Sequence, residues 1–101
     1  MSKIEDIAVP EGFREDLARA VRILKEEGCS EIFLFGSGVE GKVKEGSDID
    51  LAIRGCPPGH FFHLLGKLLW ELDHSVDLVN LDTQDPFAQY LQKEGVLRPI
   101  G

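Results

Sequence analysis

Positive charge is scarce in this chain. Eleven Lys and Arg stand against 18 Asp and Glu, a formal net charge of −7 at pH 7. That balance argues against a grip on long nucleic acid, which draws mainly on neutralising phosphates with basic side chains. A small nucleotide carrying its own metal stays admissible, as does a basic protein partner, although solubility alone accounts for the charge equally well. Long apolar runs are lacking too. The longest, around Phe61 to Leu72, is interrupted by His63, Lys67 and Glu71, so nothing here is expected to span a bilayer, and the N-terminus has no signal-peptide pattern. A cytoplasmic location is the expectation. Cysteine occurs twice, at Cys29 and Cys56, without metal-site spacing. The pair reads as isolated thiols in a reducing compartment, with a disulfide between them the weaker alternative. Internal repeats and low-complexity tracts are also missing.

What is present is an ordinary globular composition, 43% hydrophobic and 29% charged in 101 residues. It is enough for one domain, residues 1–101, burying roughly two thirds of its unfolded surface. Glu11 to Glu27 reads as an amphipathic helix with Phe13, Leu17, Ala20, Val21 and Leu24 on one stripe, Pro10 at its entry and Gly28 at its exit. Glu31 to Phe35 is β-branched and aromatic, a buried strand. A second strand runs from about Asp48 to Arg54, and the Pro and Gly residues of 55–59 end it in a turn. The segment from about His60 to Leu72 is a helix apolar around much of its girth, so Trp70 and the leucine face read as core, or as a docking surface if exposed. Ser75 to Leu81 is a third strand. Asp85 caps a last helix that Pro86 starts and Gly95 ends, and Val96 to Gly101 adds a short edge strand or packs down. The order predicts an α/β (α+β) fold with a small mixed sheet and flanking helices. Strands one and two would be antiparallel neighbours, and strands two and three parallel across the intervening helix.

The dense chemistry lies between Glu31 and Arg54. In Asp48-Ile49-Asp50-Leu51 a strand's period of two sends both aspartates to one face. Two carboxylates there repel each other unless a hard divalent cation sits between them. Gly36-Ser37-Gly38, at the end of the first strand, lets an anion approach backbone N–H groups and a hydroxyl. A parallel third strand would bring Asp77 to the same edge. Gly36 to Gly41 also satisfies G-x-G-x-x-G, but no acidic residue stands about twenty positions on in the right context. Lys42 is not followed by Ser or Thr, against a P-loop, and Ala52 and Ile53 spoil a calcium loop. His60 and His63 share a helix face and read as a surface pair more readily than as metal ligands, while His74 reads as a turn residue.

Phe35-Gly36-Ser37, ten intervening residues, Asp48-Ile49-Asp50-Leu51 and later Val76-Asp77-Leu78 together resemble the nucleotidyltransferase superfamily of DNA polymerase beta. The likeness is closest to its smallest members, the minimal nucleotidyltransferase (MNT) domains, and runs from the leading helix to Lys93-Glu94-Gly95-Val96-Leu97. It implies that Asp48 and Asp50 hold two magnesium ions and that Asp77 completes one metal site or takes the proton from the attacking hydroxyl. Gly36 and Ser37 would hold the β and γ phosphates of ATP or another nucleoside triphosphate. The implied reaction moves a nucleotidyl group, AMP by preference, onto a hydroxyl and releases pyrophosphate. The implied acceptor is a HEPN-type partner protein in a toxin–antitoxin pair. Many minimal members carry arginines just after Gly-Ser, whereas this chain has Gly38, Val39 and Glu40. A triphosphate there would have to draw positive charge from Lys42 or Lys44. The rival expectation is a binding module of the same fold that neutralises a partner by contact. So small a chain has little surface for a large substrate, which points to help from a partner or a dimer mate.

Overall fold

A computed structural model describes residues 4, 7–41, 43–44 and 46–101, with Ser37 and Glu40 described in the backbone alone. The elements follow in the order α1 (Glu11–Glu26), β1 (Glu31–Leu34), α2 (Ser37–Glu40), β2 (Ile49–Arg54), α3 (Phe61–Glu71), β3 (Val76–Asn80), α4 (Pro86–Lys93) and β4 (Arg98–Pro99). Each boundary has a local cause. Pro10 precedes the first turn of α1, Gly28 follows its last with φ 103°, and the Asp85 side chain accepts from the Phe87 N–H at the start of α4. No helix among the described residues is long and apolar enough to cross a membrane.

The strands form one mixed sheet in the order β3-β2-β1-β4. β1 and β2 are antiparallel, with Glu31 opposite Arg54 and Leu34 opposite Leu51, and β2 and β3 are parallel, with Asp50 beside Asp77. β4 closes the far edge antiparallel to β1, so the tail does contribute an edge strand. The expected pairing holds throughout because the link from β1 to β2 contains only a single four-residue helical turn, while α3 provides the crossover that a parallel pair needs.

Alternation along the strands divides the core in two. Ile32, Leu34, Ile49, Leu51, Ile53, Val76 and Leu78 face α1 and α3, meeting Phe13, Leu17, Leu24, Leu64 and Leu68. On the opposite face Phe33, Phe35 and Ala52 pack with Leu81 and with Ala88 and Leu91 of α4. That second cluster is smaller, and it leaves the end of the sheet where β2 and β3 begin open on the α4 side.

Two expectations are overturned here. Cys29 and Cys56 are not isolated thiols: they are joined as a disulfide, with Cα atoms 3.9 Å apart. The cause is register. The β1–β2 pairing that sets Glu31 against Arg54, continued two residues outward, sets Cys29 against Cys56. Trp70 is not core either. It is 88% exposed and Phe62 82%, with Leu69 half exposed. Only the Leu64 and Leu68 side of α3 is buried within the helix.

Candidate active site

Asp50 is the second residue of β2 and Asp77 the second of β3. As partners in a parallel register their side chains leave the sheet on the same side, the α4 side, which also carries Phe35 and Ala52. Asp48, two residues before Asp50, is exposed just ahead of the strand. The three acidic groups therefore gather at one sheet end. Burial pushes the Asp50 carboxyl up to about 6, and the negative charges of Asp77 and then Asp48 push it the same way.

Gly36 completes the arrangement. The Phe35 N–H donates to the Asp50 carbonyl at 3.0 Å, so the chain leaves β1 directly alongside Asp50. Gly36 then turns with φ 71°. A Cβ at this position would overlap Asp50 Oδ2 and lie 3.2 Å from its Cγ. Glycine is required twice over, for the left-handed turn and for the closeness of the carboxylate. α2 starts at the next residue, a short helix that periodicity could not find because four residues are too few to carry a period. Gly38 sits over Leu34, whose Cδ2 would be 2.8 Å from a Cβ, which holds α2 down on the sheet. Beside Gly36 lies a cavity of about 480 Å³ lined in part by Phe35, Val39, Tyr90 and Val96.

The remaining expected site residues fall out differently. Lys44 is exposed, and its backbone N–H donates to Ser47 Oγ at 2.9 Å. Lys42 and the Ser37 side chain lie outside the described residues. His63 pairs with Glu27 at 3.2 Å, beside a second contact from Lys67 to the same carboxylate. Those contacts, led by the Lys67 hydrogen bond, hold the Glu27 carboxyl below its ordinary range. His60 and His63 are therefore surface residues at a helix–helix seam.

Sequence reasoning missed Asp16. It is 1% exposed, and its Oδ2 accepts from the Asp73 N–H at 2.9 Å, the His74 N–H at 2.8 Å and His74 Nδ1 at 2.7 Å. One carboxylate thus ties α1 to the turn that launches β3, and so sets where Asp77 begins. The signal was available, since Asp16 falls on the apolar arc between Phe13, Leu17 and Ala20, where a carboxylate must have partners.

As a donor set the three aspartates fit a hard divalent cation: all offer carboxylate oxygens, and their mutual repulsion is what such an ion relieves. Among the described residues no three acidic, histidine or cysteine groups already stand close enough to enclose one, so closure around an ion requires side-chain rotation.

Comparison with known proteins is consistent with this geometry. Among curated proteins, none matches the chain. In a solved toxin–antitoxin complex with AMP-PNP, a chain is 28% identical with a TM-score of 0.61, the likeness covering 79% of this chain and 69% of that one. In the toxin–antitoxin complex MntA-HepT a chain is 24% identical with a TM-score of 0.57, over 83% of this chain and 69% of that one, a likeness of fold. The family model described as polymerase beta, nucleotidyltransferase, matches residues 19–97, a span that takes in Gly36, Asp48, Asp50 and Asp77, and the chain belongs to that family.

Proposed function

We propose that the chain is a magnesium-dependent nucleotidyltransferase that moves a nucleotidyl group, AMP by preference, from a nucleoside triphosphate onto a hydroxyl of a partner protein. The partner is a HEPN-type toxin, and the chain acts as its antitoxin. The single observation that carries the reading is the register pairing of Asp50 with Asp77 beside Gly36. The AMP-PNP in one neighbour and the toxin–antitoxin assembly of both support the choice of substrate and partner.

Asp48 and Asp50 would hold the metal, with Asp77 completing the set or accepting the hydroxyl proton. Two magnesium ions, when bound, supply charge stabilisation for the attacking and leaving oxygens. Gly36 and the first N–H groups of α2, which have no acceptor within the helix, would receive the β and γ phosphates, with Ser37, Lys42 and Lys44 alongside. The acceptor oxygen forms its bond to the α-phosphorus as the bond to pyrophosphate breaks, in line. The hydroxyl proton passes to a carboxylate. The cavity beside Gly36 leaves room for the rest of the nucleotide.

A second reading, a module of the same fold that neutralises its partner by contact alone, is favoured by Gly38, Val39 and Glu40 after Gly36-Ser37, where a triphosphate would need positive charge. Incubation with ATP labelled at the α-phosphate, magnesium and a HEPN-type toxin separates the two. Label on the toxin that disappears with Asp48→Asn supports transfer. Tight association that survives Asp48→Asn, with no label in either chain, supports the module.

A further inference from the structure

Helix α3 carries an apolar stripe that nothing among the described residues covers. Phe62, Leu69 and Trp70 are 82%, 50% and 88% exposed, and their spacing of seven and eight residues puts them on one side of the helix. Between them lies Gly66, exposed, with only open space where a Cβ would be. The rest of α3 is spoken for: Leu64 and Leu68, on the opposite side, are buried, and His63 and Lys67, along one flank of the stripe, hold Glu27 at the end of α1.

We propose that this stripe is a homodimer interface, in which α3 packs antiparallel against α3 of a second copy across a two-fold axis at Gly66. The residues are arranged symmetrically about that glycine: Phe62 lies four positions before it and Trp70 four after. An isologous interface needs such self-complementarity, because residue i must meet residue j while j meets i. Crossing at Gly66 sets Phe62 of each copy beside Trp70 of the other and lets the two backbones come close where no side chain intervenes. The antiparallel arrangement also sets opposite dipole ends of the two helices together. The net charge of −7 opposes pairing only weakly, being spread over the surface and screened beyond about 8 Å at physiological ionic strength.

The area is sufficient. Aromatic side chains bury about 150–250 Å² each, so at the observed exposures the two rings give about 350 Å² per copy, or about 700 Å² for the pair. Leu69 and the flanks of both helices carry the total past the roughly 1,000 Å² of a specific interface. Dimerisation through α3 is independent of nucleotide transfer, since Asp50 and Asp77 emerge from the other side of the sheet from the cluster that packs on α3.

Sedimentation equilibrium of the full chain without partner or nucleotide tests the proposal. The expected mass is twice 11.2 kDa. Trp70→Glu and Phe62→Ser should each return the chain to the single mass with an unchanged far-UV spectrum, as both sites are solvent-exposed. Gly66→Leu should raise the dissociation constant about tenfold or more by forcing the helices apart. Gly66→Cys should give a band at twice the mass on a non-reducing gel, because the introduced thiols meet at the axis. A wild-type chain of single mass at every concentration overturns the proposal. So does a dimer that survives Trp70→Glu combined with Phe62→Ser, or a chain that pairs only with a protein of different sequence.

Discussion

Gly36 and Asp50 share one small volume: the carboxylate of Asp50 fills the space that any side chain at position 36 would need. The turn after β1 and the start of β2 are thereby fixed against each other. Gly36→Ala should disturb both. A left-handed φ of 71° costs an L-residue about 1–2 kcal/mol, and displacing a carboxylate from its packed position adds to it. The expected outcome is a lower urea midpoint together with a smaller stabilisation by magnesium and ATP. A variant with the parent's midpoint and the parent's response to ligand would show that the closeness of the two residues has no consequence.

The acidic cluster makes the metal-free protein sensitive to pH. Asp50 has its folded value raised from 3.8 to about 6, so between those values the folded state holds more proton than the unfolded one. Stability is then fully present below about pH 4 and is lost as pH rises through about 6. The full shift corresponds to about 3 kcal/mol, and because Asp50 is only partly buried, solvent screening leaves about 1 kcal/mol of it. Asp50→Asn should abolish that loss, so in chelator the variant melts above the wild type at pH 7 and level with it at pH 4. Magnesium should raise the wild-type melting temperature and leave Asp50→Asn nearly unmoved. Superimposable pH profiles for the two proteins would rule out Asp50 as the source.

Asp16 reaches the same site by a longer route. Its carboxylate accepts from two backbone N–H groups and an imidazole in the turn at Asp73 and His74, and Asp77 lies three residues beyond that turn. Asp16→Ala leaves three part-buried donors without an acceptor and should cost about 2 kcal/mol in denaturant unfolding. Asp16→Asn keeps one acceptor oxygen and should cost less. Equal costs for the two variants would mean that packing, rather than the accepted hydrogen bonds, is what Asp16 supplies.

The fold was legible wherever periodicity or punctuation acts over enough residues. Phe13, Leu17 and Leu24 announce α1, Gly55 to Gly59 end β2, and Asp85-Pro86 opens α4. The convergence of Asp50 with Asp77 follows from counting: each is the third residue of the strand expected from sequence and the second of the observed one, and the crossover through α3 makes the strands parallel. What could not be read depends on distances across the chain. Trp70 and Leu68 lie two residues apart in one apolar helix, and composition alone does not say which faces the sheet and which faces water. The place of Asp16 on the apolar arc of α1 is legible, but its partner, the turn at His74, is 58 residues away and is not.

The disulfide is a case of register carrying more information than spacing. Twenty-seven residues separate Cys29 from Cys56, a gap without meaning until β1 and β2 are paired and Ser30 donates its N–H to the Arg54 carbonyl at 3.1 Å. At that point the two thiols are forced opposite each other, one between the end of α1 and β1, the other in the turn after β2. A loop of this length removes enough freedom from the unfolded chain to give about 3–4 kcal/mol on the chain-entropy account. Cys29→Ser combined with Cys56→Ser should therefore lose about that much stability while keeping the response to magnesium, because the cystine sits at the opposite end of β2 from Asp50. Reductant should lower the wild-type melting temperature towards that of the double variant and leave the variant itself unmoved. Two titratable thiols per folded chain without reductant would mean that the bond is not formed in solution.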